Sequence, residues 1–210
     1  GFREQCEKGA GCYAKVPKGV SIREERIQDM QTNWIVPPGT DPSRLILYVH
    51  GGGYVAGSCS DHRGFVAKLA ANCGVTNLLY EYRLAPEHPF PAALDDSVIL
   101  YQALLARGFL PENLILVGES AGGGLVLSIL LALKERGISM PSAAVAISPW
   151  ADLTCSSASY TSKNKCSVAP LDSWTVFSRY YSGRHDPRNP LISPVFGDPS
   201  GLPPLLIHAG

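Results

Sequence analysis

The sequence is short of charge. Only 17% of its 210 residues are Asp, Glu, Lys or Arg, and 18 basic residues balance 18 acidic ones, for a formal net charge of zero. A protein that tracks phosphate backbones needs a basic excess, so nucleic acid is excluded as the expected partner. Long apolar runs are also missing. The longest, Ala121 to Leu133, is broken by glycines and by Ser128. It falls short of the roughly 20 residues that span a bilayer, so no membrane anchor is expected. The opening GFREQCEKGAGCYAK carries scattered charge and no apolar h-region, so it does not read as a secretory leader. Its start at Gly and not Met suggests a missing or altered native start, and the expected location is cytoplasmic. The cysteines (Cys6, Cys12, Cys59, Cys73, Cys155 and Cys166) form no C-x-x-C pair, which argues against a metal site. Free thiols in a reducing compartment are expected, with Cys6–Cys12 and Cys155–Cys166 as the pairs to watch. No internal repeat is visible.

What is present is a large apolar fraction. Hydrophobic residues make up 45% of the chain, which excludes a disordered protein. The 21 Gly and 17 Pro sit at the ends of apolar runs as punctuation. From Arg44 onward, short β-type runs alternate with amphipathic stretches of helical length, the rhythm of βαβ units and a mostly parallel sheet flanked by helices. Strands are predicted at 45–49, 75–82, 114–117 and 143–147, and helices at 61–72, 92–107 and 121–135. Ser60 or Asp61 serves as the first N-cap and Gly74 as its stop. The nearly all-apolar helix after Ser120 is expected to be buried. Two regions break the rhythm: residues 1 to about 40, and about 153 to 196, where a helical patch surrounds Asp172 to Tyr181. A last β run, Pro204 to Ala209, has no covering helix after it, which leads to the expectation of a C-terminal truncation.

Gly118-Glu119-Ser120-Ala121-Gly122 is a G-x-S-x-G placed between a buried strand and an apolar helix. Small residues on both sides permit a sharp turn that projects the serine hydroxyl over the carboxyl edge of the sheet. The helix N-terminus aims free N–H groups at the same point. Ser120 is therefore the candidate nucleophile. His50-Gly51-Gly52-Gly53-Tyr54 also follows an apolar strand, and its bare backbone N–H groups suit the second half of an oxyanion hole. It lacks the ending of a P-loop and the spacing of a dinucleotide fingerprint.

These two motifs, with Tyr82-Arg83-Leu84-Ala85-Pro86-Glu87 and Ser148-Pro149-Trp150-Ala151-Asp152-Leu153 in this order, resemble the hormone-sensitive-lipase-like, HGGG-type carboxylesterases of the α/β-hydrolases. The resemblance is strong over about 45–153, moderate over 189–210 and weak over the first 40 residues. It implies an N-terminal segment, 1–40, that holds part of the cap and the first strands, an α/β-hydrolase core at 41–153, the second part of the cap at 154–196, and a return to a core strand at 197–210 with the last part of the core missing. It implies Ser120 as the acyl-accepting nucleophile and the N–H groups of Gly52, Gly53 and Ala121 as the oxyanion hole. No metal or organic cofactor is implied, and the partner is a small-molecule ester. In this family the triad acid and histidine follow the penultimate strand, so both are expected beyond Gly210. The alternative is a catalytically incomplete small-molecule binder or receptor on the same scaffold. A homodimer, or a second chain completing the fold, is a further expectation.

Other polar residues have blander readings. Asp152 with His185 or His208 reproduces the chain order Ser, Asp, His. However, His208 lies in an apolar run, His185 in a polar turn, and Asp152 where the chain leaves a strand. His62 is expected near a helix start, and His50 as a hydrogen-bonding support for the glycine loop. Glu87 and His88 are assigned to a structural turn with an Arg83–carboxylate bond. Glu119 is expected to bond backbone or hydroxyl groups behind the site. Tyr54, Glu119, Trp174 and Tyr180 are the substrate-binding candidates, while Phe177 and Tyr181 are further aromatics that line a pocket or simply pack.

Overall fold

The structure, a computed structural model, describes residues 3–4, 15–162 and 171–209. Its strands are β1 (Ser21–Ile27), β2 (Met30–Val36), β3 (Leu45–Val49), β4 (Thr76–Tyr80), β5 (Leu114–Glu119), β6 (Ala143–Ile147) and β7 (Leu205–His208). Its helices are α1 (Cys59–Cys73), α2 (Ala92–Ala106), α3 (Ala121–Glu135), the short α4 (Ala158–Ser162) and α5 (Leu171–Ser182). The strands form one sheet in the order β1-β2-β4-β3-β5-β6-β7. β1 and β2 run antiparallel, as do β2 and β4, and all later pairs are parallel.

Alternation along β3 divides the interior. Leu45, Leu47 and Val49 face the core shared with α2 and α3, while Ile46 and Tyr48 face the smaller core under α1. Each fully buried Leu or Val contributes about 1.5–3 kcal/mol, and β3 and β4 are buried at every position. Both strands are therefore anchored at the centre, and the loops leaving their carboxyl ends are held from below. Helix α1 begins two residues earlier than its periodicity predicts. The cap is Ser58, which accepts from the Asp61 N–H while the Asp61 carboxylate accepts from the Ser58 N–H. It ends, as expected, at Gly74 in a left-handed conformation with φ 66°.

The N-terminal region contains a hairpin, β1 and β2, whose bounds within the 1–40 segment no hydrophobic pattern marks. Gln28 and Asp29 make its turn with φ of 51° and 64°, the backbone of a two-residue primed turn without the glycine that normally announces one. β2 also buries polar side chains, Thr32 and Asn33, which hides it from an apolar-run search. At the opposite edge β7 forms where expected, with Leu206 61% and Ile207 54% exposed. Among the described residues no helix is long and apolar enough to cross a membrane. Cys59, Cys73 and Cys155 are free thiols, whereas both pairs to watch, Cys6–Cys12 and Cys155–Cys166, involve positions outside the described residues.

Candidate active site

Ser120 separates β5 from α3 and adopts φ 54° and ψ −122°, a left-handed backbone rare for a residue with a side chain. The surroundings hold it there. Its N–H donates to the Ile147 carbonyl at 2.9 Å, and its own carbonyl accepts from the Trp150 N–H at 2.8 Å and the Gly124 N–H at 3.0 Å. The glycines on either side are set by close approach. A Cβ on Gly122 would lie 2.1 Å from the Val49 oxygen, and one on Gly118 would lie 2.5 Å from the Gly122 oxygen. Helix α3 therefore enters directly against the end of β3, with the Ala121 N–H at its first turn left without an intrahelical acceptor.

The glycine loop lies on that same edge. Gly51 packs so closely on the turn that a Cβ there would meet Glu119 Oε1 at 2.8 Å and Ser120 Cβ at 3.2 Å. The Gly52 carbonyl accepts from the N–H groups of Val55 and Ala56, at 3.1 and 3.0 Å, and closes the loop into a turn. Gly52 takes φ 117°, and a side chain on it would strike the Ala56 oxygen at 2.2 Å. Among the described residues the N–H groups of Gly52, Gly53 and Ala121 have no hydrogen-bond acceptor, and all three belong to segments that converge on Ser120. Phe177 of α5 lies over Gly53, where a Cβ would be 2.9 Å from its ring. Phe177 and Tyr180 border a groove of about 430 Å³ together with Val55, Pro86 and Glu87.

Two of the four substrate-binding candidates belong elsewhere. Tyr54 is 1% exposed and stacks on Tyr181 with ring centroids 3.7 Å apart. It therefore packs beneath the loop, because burial between α5 and the core leaves its ring no open face. Glu119 has both oxygens engaged: Oε2 accepts from the Tyr48 hydroxyl at 2.6 Å, and Oε1 accepts from the Gly51 N–H and lies 2.9 Å from His62 Nε2. It supports the loop from behind. Trp174 packs edge-on against Trp150 and Phe177, and Tyr180 is 46% exposed at the groove.

The histidines divide by environment. The His62 ring lies between two carboxylates, with Nδ1 on Asp61 and Nε2 on Glu119. Burial works to lower its pKa, but the hydrogen bonds and charges of Asp61 and Glu119 prevail and raise it to about 10. Burial works to raise Glu119 and Asp61, and their bonds to His62 outweigh it and hold both below the usual carboxylate range. His50 is fully buried, stacks on Tyr82 at 4.2 Å, and places Nδ1 2.7 Å from the Gly51 oxygen. Burial first, and then the neighbouring His62 charge, lower it to about 4. His50 thus stays neutral and donates to the loop, as its sequence position suggests.

No histidine among the described residues is hydrogen-bonded to Ser120. Asp152 turns back to the Thr154 N–H at 2.9 Å, His185 packs against Phe90, and His208 is a strand residue whose carbonyl accepts from the Ser148 N–H. The Arg83 bond expected in the turn exists, and its partner is Asp96 of α2, gripped through Nε and Nη2 at 2.7–3.0 Å. Glu87 pairs instead with Arg3. The Asp61–His62–Glu119 chain was not anticipated. Its one sequence signal is the Ser58-x-x-Asp61 capping pattern, which fixes His62 one residue into the helix face turned toward the loop.

A positively strained serine over the carboxyl edge of a mostly parallel sheet, faced by a glycine loop, defines the α/β-hydrolase class of architecture. A family model described as an alpha/beta hydrolase fold matches residues 46–210, and the chain belongs to that family, in its hormone-sensitive-lipase-like branch. It is 45% identical over 179 residues to an acetyl-hydrolase of Streptomyces hygroscopicus, covering 84% of this chain and 59% of that protein. It is 37% identical over 170 residues to an esterase of Acinetobacter venetianus, covering 80% of this chain and 56% of that protein. A solved structure of a hormone-sensitive lipase from a metagenome library matches with a TM-score of 0.94 at 39% identity, covering 100% of this chain and 72% of that one. The chain thus spans 59% and 56% of the lengths of these two curated relatives.

Proposed function

We propose that the protein is a serine carboxylesterase that hydrolyses small, short-acyl esters through an acyl-enzyme on Ser120. The observation that carries this reading is the strained serine between β5 and α3, flanked by acceptor-free N–H groups on the glycine loop and at the start of α3. In the reaction a histidine accepts the Ser120 proton as Oγ attacks the ester carbonyl carbon. The N–H groups of Gly52, Gly53 and Ala121 then receive the developing oxyanion. Collapse of the tetrahedral species breaks the bond to the alcohol oxygen, which takes the proton from the imidazolium. Water, deprotonated by the same histidine, then attacks the acyl carbon and releases the acid and Ser120.

The proposed preference for short acyl chains is supported by Phe177 over Gly53 and by the name of the Streptomyces relative, an acetyl-hydrolase. A cytoplasmic location is part of the proposal and suits the free thiols of Cys59, Cys73 and Cys155. The test uses the whole protein, a chromogenic ester series from acetate to decanoate, and a serine-reactive organophosphonate. Hydrolysis fastest at the short end, one phosphonyl group on Ser120 and loss of turnover in Ser120→Ala are the expected results. Near-wild-type hydrolysis by Ser120→Ala refutes the assignment.

A further inference from the structure

Resting on the esterase reading, we infer that His62 is a positioning residue: bridging Asp61 and Glu119, it holds the Glu119 carboxylate on the Gly51 N–H and so sets where the glycine loop presents its N–H groups. The contacts form a continuous chain. Asp61 is fixed by the helix cap through the Ser58 N–H at 2.8 Å, His62 lies between Asp61 and Glu119, and Glu119 reaches the Gly51 N–H. Glu119 also immediately precedes Ser120, so one carboxylate links the elbow to the loop on which two of the three oxyanion donors lie. The loop has little freedom to adjust on its own, since Gly51 already touches Glu119 and Ser120. His50 holds the other side of the same residue through the Gly51 carbonyl. Gly51 is thus gripped at its N–H by a cation-supported carboxylate and at its C=O by a neutral imidazole.

The charge balance explains why a cation belongs here. The side chains facing His62 come from α1 (Asp61), from the end of β5 (Glu119) and from the end of β3 (His50, with ring centroids 5.2 Å apart). Tyr48 of β3 closes the remaining Glu119 oxygen, and Arg63, next along α1, turns away toward Glu24 at 3.8 Å. Asp61 and Glu119 side chains are only 4% and 24% exposed. Without His62 both carboxylates would be left buried beside each other with no positive charge between them, a strongly unfavourable arrangement. The relief available is for Glu119 to swing out or take up a proton, and either one loosens the grip on Gly51.

The test compares His62→Gln with His62→Lys in the whole protein, on a short-chain ester and on its thiono analogue, with thermal melts alongside. A displaced oxyanion donor pair is expected to lower kcat of His62→Gln by about 10- to 100-fold, below the loss for outright removal of a donor, with KM within about twofold. The preference for the ester over the thiono ester, which reports hydrogen bonding to the oxyanion, shrinks in step. His62→Lys, which keeps a cation within reach of Glu119, recovers most of kcat. In a Glu119→Gln background, where the carboxylate that His62 holds on Gly51 is absent and Asp61 keeps its bond from the Ser58 N–H, His62→Gln costs less than about twofold in kcat, and this cycle decides the matter if the single variant is poorly folded. Wild-type kcat in His62→Gln, a Lys variant no better than Gln, or an unchanged cost in the Glu119→Gln background overturns the inference alone. An inactive wild type, or an active Ser120→Ala, overturns the esterase reading and the inference with it.

Discussion

Replacing Ser120 by glycine is expected to stabilise the fold while abolishing turnover. The φ of 54° with ψ of −122° is a conformation that glycine reaches freely and a Cβ resists. Strain of this kind costs about 1–3 kcal/mol. Against the relief stands the greater freedom of glycine in the unfolded chain, about 0.5–1 kcal/mol, which leaves a net gain of about 1 kcal/mol at the middle of the two ranges. The hydroxyl itself contributes little, because Ser120 Oγ has no hydrogen-bond partner among the described residues. Ser120→Ala is the control. It removes the same hydroxyl but keeps the Cβ, so its stability should stay within about 0.5 kcal/mol of wild type. At about 2–4 °C per kcal/mol for a protein of this size, the glycine variant should melt a few degrees above the alanine one. Thermal unfolding followed by circular dichroism, with urea titrations to confirm the order, reads this difference directly. Equal melting of the two variants, or a glycine variant below alanine, refutes the claim that the backbone at Ser120 is held against its preference.

Two further predictions follow from the same region. Gly122→Ala places a methyl 2.1 Å from the Val49 oxygen and 2.4 Å from the His50 oxygen. Because both are backbone atoms at the end of buried β3, the variant should lose about 3 kcal/mol or more in urea unfolding; a loss under about 1 kcal/mol contradicts the packing described. Stability should also peak near neutral pH. His62 is raised to about 10 from 6.5, so its contribution is complete below about 6.5 and is lost as pH rises through 10. His50 is lowered to about 4, so its contribution is present above 6.5 and is lost as pH falls toward 4, where Glu119 and Asp61, both lowered, begin to lose theirs. His62→Gln should flatten the alkaline limb between pH 7 and 10, and an alkaline limb identical to wild type contradicts the two-carboxylate cradle.

The parallel part of the sheet was legible because its signals are local. Short apolar runs such as LILYV, helix-length stripes and a glycine at the end of α1 each declare themselves within one element. The elbow was legible for the same reason: G-E-S-A-G between a strand and an apolar helix leaves few alternatives. The bounds and turn of the β1–β2 hairpin were not, beyond the expectation of first strands within 1–40, since Gln28 and Asp29 adopt left-handed backbone under tertiary constraint and the buried residues of β2 include Thr32 and Asn33. The misplaced candidates share one cause. Tyr54 and Glu119 sit beside the glycine loop and Ser120 in sequence, but adjacent residues on a tight turn point in opposite directions, so these neighbours face inward to hold them. Asp61 and His62 are some 57 residues from the elbow, and only the three-dimensional approach of α1 to β5 brings them into the same network.

The manner in which the elbow is packed separates what can vary from what cannot. At Gly52, Gly118, Gly122 and Gly124 any added side chain meets a backbone oxygen within 2.5 Å, so those positions hold one residue type whatever the groove is to accept. Phe177 and Tyr180 instead border open space, the groove of about 430 Å³, and their replacement displaces no main chain. Diversification onto new substrates therefore has an easy direction in this fold: the helix above the loop can be rewritten residue by residue, while the centre beneath it is inherited unchanged.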